Sequence, residues 1–161
     1  MTRAALLLFP FVLLVAGCSS SAPEPNALLP HPVRGKVMYD GKPAVGVVVT
    51  FIPSDAPMVP HIPHNPRGVT GADGTFALTT FAEGDGAPEG GYQIVFRWPG
   101  EKNLQAEGEA QEDTDRLMGW YDGTHSTLTH RVKSGSNDLP PFNLPKVDKP
   151  PPFSKGVPGR N

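Results

Sequence analysis

Residues Arg67–Trp98 read RGVTGADGTFALTTFAEGDGAPEGGYQIVFRW and contain the clearest structural pattern in the chain. Apolar and polar residues alternate over Thr75–Thr80 and again over Tyr92–Trp98. A period of two is typical of a strand that has one face in a core and the other in water. Glycines, Asp73 and Pro88 lie before and between the two runs and suit the backbone geometry of turns. The stretch therefore predicts two amphipathic strands with sharp boundaries.

The composition favours one domain without long helices. The chain has 161 residues, of which 20 are Pro, 18 are Gly and 38% are hydrophobic. That length suits one ordinary domain, and so much Pro and Gly favours turns and short strands. The formal net charge of −2 leaves no basic excess of the kind that nucleic-acid binding uses, so no nucleic-acid partner is predicted.

Similar short runs lie on both sides of the first stretch. They predict further strands at Val33–Tyr39, Ala44–Ile52, Arg67–Thr70, Leu128–Val132 and Leu139–Leu144. Asp40-Gly41 between the first two is a strong hairpin signal, and Val45, Val47, Val49 and Phe51 are predicted to share a core face. Pro140 and Pro141 would confine the last strand to a sheet edge. About seven short strands predict an all-β fold, a two-sheet antiparallel β-sandwich with immunoglobulin-like layers.

The N-terminal residues predict a lipoprotein signal. Arg3 precedes the apolar run Ala4–Val15, which is shorter than the roughly 20 residues of a membrane-spanning helix. The run ends in Val15-Ala16-Gly17-Cys18, which resembles a bacterial lipobox. By that resemblance residues 1–17 are a signal peptide, and Cys18, the single cysteine, carries the lipid. The alternative is an ordinary signal peptide with an incidental free thiol.

Three segments are predicted to lie outside the regular sandwich, which would occupy residues 33–145. Residues 18–32 contain several prolines and predict a flexible tether between lipid and domain. Residues 99–119 carry six acidic and two basic side chains and predict an acidic, solvated insertion, with a short helix near Ala110–Leu117 as an option. Residues 146–161 are Pro-rich and predict a disordered tail.

Two loop features invite a metal interpretation. His61 and His64 lie three residues apart, but prolines prevent a helix there and no third ligand is near in sequence. Asp73 and Asp85 lie among glycines without the spacing of an EF-hand loop. The histidines are interpreted as solvated loop residues and Asp73 as a turn residue that bonds its own backbone, so no metal or cofactor is predicted.

Two histidines invite a catalytic interpretation. His125 and Ser126 are adjacent, and neighbours in a strand point to opposite faces, which argues against a dyad. His130 is interpreted as a strand residue at the rim of the core. No catalytic residue is predicted, and the chain is expected not to be an enzyme.

The ordered set of motifs resembles the carboxypeptidase regulatory-like, or transthyretin-like (prealbumin-like), β-sandwich domains. More closely, it resembles small lipoproteins of that type from environmental diderm bacteria. The matching segments are Val33–Val37, Asp40–Pro43, Val49–Pro53, Thr70–Phe76, Gly84–Pro88, Gly90–Tyr92, Tyr121, Leu128–Val132 and Gly135–Asn137. The resemblance implies a sandwich that is lipid-anchored in the cell envelope, at the outer membrane or on the periplasmic face. It implies no activity, since fold does not determine function.

Together these features predict a non-catalytic, lipid-anchored envelope protein that presents a small β-sandwich to another envelope protein or to a polymer such as a polysaccharide. An alternative is a carbohydrate-binding module that uses Trp98, Trp120 and Tyr121, which flank the acidic insertion. The same aromatic residues would otherwise cap the open end of the core. A remote alternative is a metal-assisted enzyme that uses His61, His64 and an acidic loop residue.

Overall fold

Two packed β-sheets and a short third one form the part of the chain that the computed structural model describes, residues 28–56, 65–100 and 114–152. No residue in these ranges lies in a helix, so none could cross a membrane as one. The strands are β1 (Pro30–His31), β2 (Val33–Tyr39), β3 (Lys42–Pro43), β4 (Val48–Pro53), β5 (Arg67–Val69), β6 (Thr75–Ala77), β7 (Ala87–Pro88), β8 (Gly90–Arg97), β9 (Thr129–Val132), β10 (Asn137–Asp138) and β11 (Phe142–Leu144). The predicted all-β fold class is confirmed.

The larger sheet is built on β2, which has partners along both edges. β6 and β3 pair with it antiparallel on one edge, with Gly35 opposite Phe76. β10 and β11 run parallel to it on the other edge, with Val33 opposite Asn137 and Val37 opposite Phe142. These two parallel pairings correct the expectation of a wholly antiparallel sandwich; every other strand pair in the described ranges is antiparallel. They arise because the chain returns to β2 by a long crossover and not through a hairpin.

Two predicted local features of this sheet are confirmed. Asp40 and Gly41 both have positive φ, 50° and 72°, which is the type I′ hairpin turn that Asp-Gly favours. Pro140 and Pro141 lie between β10 and β11 on the outer edge, where the missing N–H groups remove no ladder bond.

The second sheet has the order β5-β4-β8-β9 and is antiparallel throughout. Its pairing sets Phe51 opposite Ile94 and Tyr92 opposite His130. The core faces predicted for Thr75–Thr80 and Tyr92–Trp98 are confirmed, since their apolar members are buried between the sheets. The buried core consists of Val33, Val37, Ala44, Val47, Val49, Phe51, Ala56, Phe76, Leu78, Ala87, Tyr92, Ile94, Phe96, Trp98, Leu117, Val132 and Leu144.

The prediction for Val45 is wrong. This side chain was expected in the core, and it is 50% exposed. Gly46 adopts a left-handed φ of 78°, which breaks the alternation and delays the start of β4 to Val48. The buried Thr70 hydroxyl stabilises the irregular turn: it donates to the Ala44 carbonyl (2.6 Å) and accepts from the Val47 N–H (2.8 Å).

The domain begins earlier than residue 33. Pro30–His31, predicted to lie in the tether, form β1 and pair with Ala87–Pro88. Gly86 permits this contact, since a Cβ there would lie 1.7 Å from the His31 carbonyl oxygen. Residues 18–27 of the predicted tether and the predicted signal peptide lie outside the described residues.

The two large sheets are joined at one edge by a close backbone contact. Arg67 and Thr79 exchange main-chain hydrogen bonds, Arg67 N to Thr79 O at 3.1 Å and Thr79 N to Arg67 O at 2.8 Å. Gly68 lies inside this junction, and a Cβ there would be 2.3 Å from the Ala77 carbonyl oxygen. Gly68 is therefore required because β5 must approach β6 this closely.

Replacing Gly68 with Ala is expected to lower the free energy of unfolding by about 1–3 kcal/mol, because a backbone oxygen cannot move aside as a side chain can. Urea unfolding of the full chain measures this. Gly71→Ala is the matched control, since its nearest contact would lie at an ordinary 3.8 Å. Equal unfolding midpoints for the two variants would contradict the role given to Gly68.

Candidate functional site

Trp98 is part of the core and does not belong to a surface. Its side chain is 7% exposed, and its indole N–H donates to the Val45 carbonyl oxygen at 2.8 Å. The Tyr39 ring meets it edge-on at 5.2 Å, and the Arg116 guanidinium lies 3.6 Å from its ring centroid. The predicted trio of sugar-binding aromatic residues is therefore corrected to two, Trp120 and Tyr121, because Trp98 caps the core.

The end of the predicted acidic insertion folds onto the domain. The Asp115 carboxylate accepts hydrogen bonds from the main-chain N–H groups of Trp98 (2.8 Å), Leu117 (3.1 Å) and Gly119 (3.0 Å). Leu117 is fully buried. Residues 114–119 thus form a fixed turn that leads into Trp120. Thr114, Arg116 and Met118 are exposed, as predicted for a solvated segment, but Leu117 is buried and none of the six residues is helical. Residues 101–113 lie outside the described residues.

The two remaining aromatic residues line a groove at this end of the sandwich. Trp120 and Tyr121 form one wall, and the chain segment from Pro145 to Lys149 forms the other. The groove has a volume of about 380 Å³. Both rings are half-buried, and the Tyr121 ring packs against Phe96 with centroids 5.9 Å apart. We call this feature the aromatic groove.

Part of the predicted disordered tail forms the second wall of the aromatic groove. Residues 146–152 are described by the structure, and their backbone bonds to the domain at two points. The Trp120 indole N–H donates to the Lys149 carbonyl oxygen at 2.7 Å, and the Val147 N–H donates to the Tyr39 hydroxyl at 3.0 Å. The tail prediction is corrected for these residues; residues 153–161 lie outside the described ranges.

The groove offers stacking faces and hydrogen bonds. Burial raises the pKa of the Tyr121 phenol, and the neighbouring Tyr39 raises it further, so Tyr121 stays a neutral hydroxyl near pH 7. The charged groups of the groove are Lys146 and Asp148, whose Nζ and Oδ1 atoms are 3.5 Å apart, and Lys149. Aromatic faces with a few polar groups suit a binding site.

The other residues that invited a chemical interpretation have structural partners. The buried Ser126 hydroxyl donates to the Ile94 carbonyl, and His125 Nδ1 lies 2.9 Å from Asp122 Oδ1, so His125 and Ser126 are engaged separately. The Asp73 carboxylate accepts from the N–H and hydroxyl of Thr75, which confirms its interpretation as a turn residue.

Asp85 is also a turn residue. The Asp85 carboxylate accepts from the N–H groups of Thr80, Phe81 and Ala82, which orders its own loop. Across residues 28–56, 65–100 and 114–152, no three His, Cys, Asp or Glu side chains group closely enough to hold a metal. Cys18, His61 and His64 lie outside these ranges.

His130 lies at the rim of the core, as predicted. Its ring packs against Phe51 with centroids 6.4 Å apart, and its Nε2 atom is buried without a hydrogen-bond partner in the described structure. Burial lowers the pKa of the imidazole, the Asn137 side chain opposes the shift, and the charge of Lys133 adds to it. The folded state therefore holds His130 as a neutral ring.

Comparisons with known proteins assign no function to the chain. No family model matches the chain, and no curated protein matches it. Solved structures similar to it include the dioxygenase domain of a dioxygenase–carbohydrate-binding protein fusion from Streptomyces sp. SirexAA-E, at 24% identity and a TM-score of 0.40, covering 78% of this chain and 86% of that one. A DUF3823 family protein from Parabacteroides merdae has 17% identity and a TM-score of 0.34, covering 71% of this chain and 44% of that one. Likenesses this low carry no argument about function.

Asp115→Ala is expected to destabilise the turn that carries Trp120, lowering the free energy of unfolding by about 2 kcal/mol because several N–H groups lose their acceptor. Asp115→Asn should lose less, since its amide oxygen keeps the bonds of Trp98 and Leu117. Urea unfolding followed by tryptophan fluorescence measures both. Wild-type stability in the Ala variant would show that the carboxylate does not hold this turn.

The lowered pKa of His130 makes stability depend on pH. Unfolding frees the imidazole to bind a proton at its ordinary pKa near 6.5, so the stabilisation is complete above that pH and is lost as the pH falls below it. The slope contributed by His130 is at most about 1.4 kcal/mol per pH unit. Unfolding free energies of the wild type and His130→Gln between pH 7.5 and 5 measure it. Parallel curves for the two proteins would contradict it.

Proposed function

We propose that the chain is a non-catalytic, lipid-anchored protein of the cell envelope whose β-sandwich binds an envelope protein or a polymer through the aromatic groove. One observation carries the proposal: Trp120 and Tyr121 line an accessible groove of about 380 Å³. Contacts with the domain fix the positions of both residues. Asp115 fixes the turn before Trp120, and Phe96 supports Tyr121. Rigid aromatic walls reduce the entropy cost of binding.

The chemistry of the groove supports binding more than catalysis. Its acidic group, Asp148, is 80% exposed and lies beside Lys146, so water and an ammonium group compete for its oxygens. Tyr121 holds its proton at neutral pH because its pKa is raised. Stacking and hydrogen bonding are the interactions that these residues offer.

The anchor is the second part of the proposal. The segment Val15–Cys18 resembles a lipobox, and Cys18 would carry the lipid. Eleven residues lie between Cys18 and Pro30, where the folded domain begins, and this stretch could span at most roughly 40 Å. Such a tether would keep the aromatic groove close to the membrane surface. The proposed location is the outer membrane or the periplasmic face of a diderm bacterium.

A carbohydrate is the second candidate ligand, and the groove gives a specific reason for it. Sugar rings stack on flat aromatic faces, and Trp120 and Tyr121 lie side by side in the chain with both rings half-exposed. The Tyr121 hydroxyl and the Lys146 ammonium supply polar partners for sugar hydroxyls. Trp98 has no part in this version of the hypothesis.

Cross-linking of the tagged full-length protein in intact cells, followed by mass spectrometry, tests the proposal. We expect one dominant envelope component to be recovered with the wild type and to be lost with Trp120→Ala and with Cys18→Ala. Phe81→Ala is the matched control, because Phe81 is a 54% exposed aromatic side chain that does not line the groove. Unchanged recovery with Trp120→Ala would overturn the groove as the binding surface.

The carbohydrate version has its own measurement. Addition of purified envelope polysaccharide should change the tryptophan fluorescence of the wild type by binding at Trp120. The Trp120→Phe variant retains only Trp98, which is buried, and should show no change. No response in the wild type would exclude the polysaccharides tested.

A further inference from the structure

The segment Pro145–Pro152 has the character of a bound peptide. Its sequence is PKVDKPPP, and it lies in neither a helix nor a strand. Proline fixes its own φ near −65° and disfavours the helical region for the residue before it. The four prolines therefore favour extended backbone at the two ends of the segment, and the chain bends between them at Asp148 and Lys149.

Tyr39 and Trp120 hold this segment through its main chain. The Trp120 indole N–H donates to the carbonyl of Lys149, and the Tyr39 hydroxyl accepts from the N–H of Val147. Val147 is the half-buried side chain of the five that line the groove, whereas Pro145, Lys146, Asp148 and Lys149 are exposed. An aromatic groove with an indole donor is one of the ways in which proteins recognise proline-rich peptides.

We propose that the surface formed by Tyr39, Trp120 and Tyr121 is a docking site for a proline-containing peptide segment of a partner protein, and that the chain's own residues 145–152, which supply the other wall of the aromatic groove, cover this surface until a partner displaces them. The inference rests on the proposed function and specifies the class of its ligand. Main-chain recognition makes the site tolerant of side-chain identity, so a partner needs a backbone that can make the same two hydrogen bonds and one apolar residue in the position of Val147.

The attachment of the segment allows such an exchange. The ladder between β11 and β2 ends at Leu144, whose carbonyl accepts from Asp40 N at 3.0 Å. Beyond it, the bonds of Val147 and Lys149 are the two hydrogen bonds between residues 145–152 and the rest of the described structure. Local opening at Pro145 would release the segment without breaking a sheet. A partner must compete only with an intramolecular segment of roughly millimolar effective concentration.

Val147→Pro in the full-length chain, purified in detergent, tests this displacement. It removes the N–H that the Tyr39 hydroxyl accepts, and it removes the half-buried side chain. Phe81→Ala is the control, because Phe81 is exposed and does not line the groove. The readout is the indole N–H resonance of Trp120, which Trp120→Phe identifies by its loss.

In the Val147→Pro variant, we expect the Trp120 indole resonance to move towards its position in a free tryptophan, and in Phe81→Ala to remain at the wild-type position. The synthetic peptide PKVDKPPP should return the resonance towards the wild-type position. Its dissociation constant should be at least tenfold lower for the Val147→Pro variant than for the wild type, where the intramolecular segment competes. The peptide PKPDKPPP should have no effect.

Two results would overturn the inference. An unmoved resonance in Val147→Pro would mean that the segment is not held as proposed. A displaced resonance that PKVDKPPP does not restore would mean that the open groove does not bind such peptides. If purified envelope polysaccharide then shifts the resonance, the ligand is a glycan and the proposed binding function stands; if cross-linking also recovers nothing through Trp120, the proposed function fails as well.

Discussion

The larger sheet depends on one strand. β2 is the shared partner of β3, β6, β10 and β11, and those four strands have only two or three residues each. Strands that short are not stable alone, so their order comes from β2 and from the core beneath it. Gly35 at the centre of β2 leaves room for the Phe76 ring, which a Cβ would meet at 2.7 Å. The Phe76 ring therefore occupies the space that a side chain at residue 35 would need.

The same strand determines where the groove lies. β2 ends at Tyr39, and the parallel partner β11 ends beside it at Leu144. The chain must therefore leave the sheet next to the Tyr39 hydroxyl, which accepts the Val147 N–H. From the opposite sheet, β8 ends at Arg97, and Trp98 joins the turn that Asp115 holds. The aromatic groove forms because both sheets end at one place, and its two walls come from distant parts of the sequence.

Patterns of period two predicted the strands wherever the backbone is regular. Thr75–Thr80 and Tyr92–Trp98 bury the expected faces, and Asp40-Gly41 makes the expected turn. The prediction for Val45 was wrong because a left-handed Gly46 leaves no mark on side-chain alternation. The parallel pairing of β10 and β11 was missed because strand direction depends on the path of the chain, which local sequence does not encode.

The candidate site was less predictable than the fold. Trp120 and Tyr121 stood out as aromatic residues, but Trp98 was indistinguishable from them until its burial was known. The structural role of Asp115 could not be predicted from the charge composition. Its carboxylate accepts from three N–H groups, but in the sequence it resembles any other acid in an acidic stretch. The prolines after Leu144 indicated a segment without a helix or a strand. They did not indicate that this segment would pack against Tyr39 and Trp120.

The pairing of β2 with β10 and β11 also has a consequence for how the chain acquires its structure. Partners such as Val33 and Asn137 are roughly 100 residues apart, and contacts this distant make folding slow because a large loop must close first. At a synthesis rate of about 5–20 residues per second, roughly 5–20 s pass between the synthesis of β2 and the synthesis of β10 and β11. Until Leu144 has been made, one whole edge of β2 is unpaired. The larger sheet can therefore be completed only after the chain has been made as far as Leu144, whatever the order in which the other strands pair.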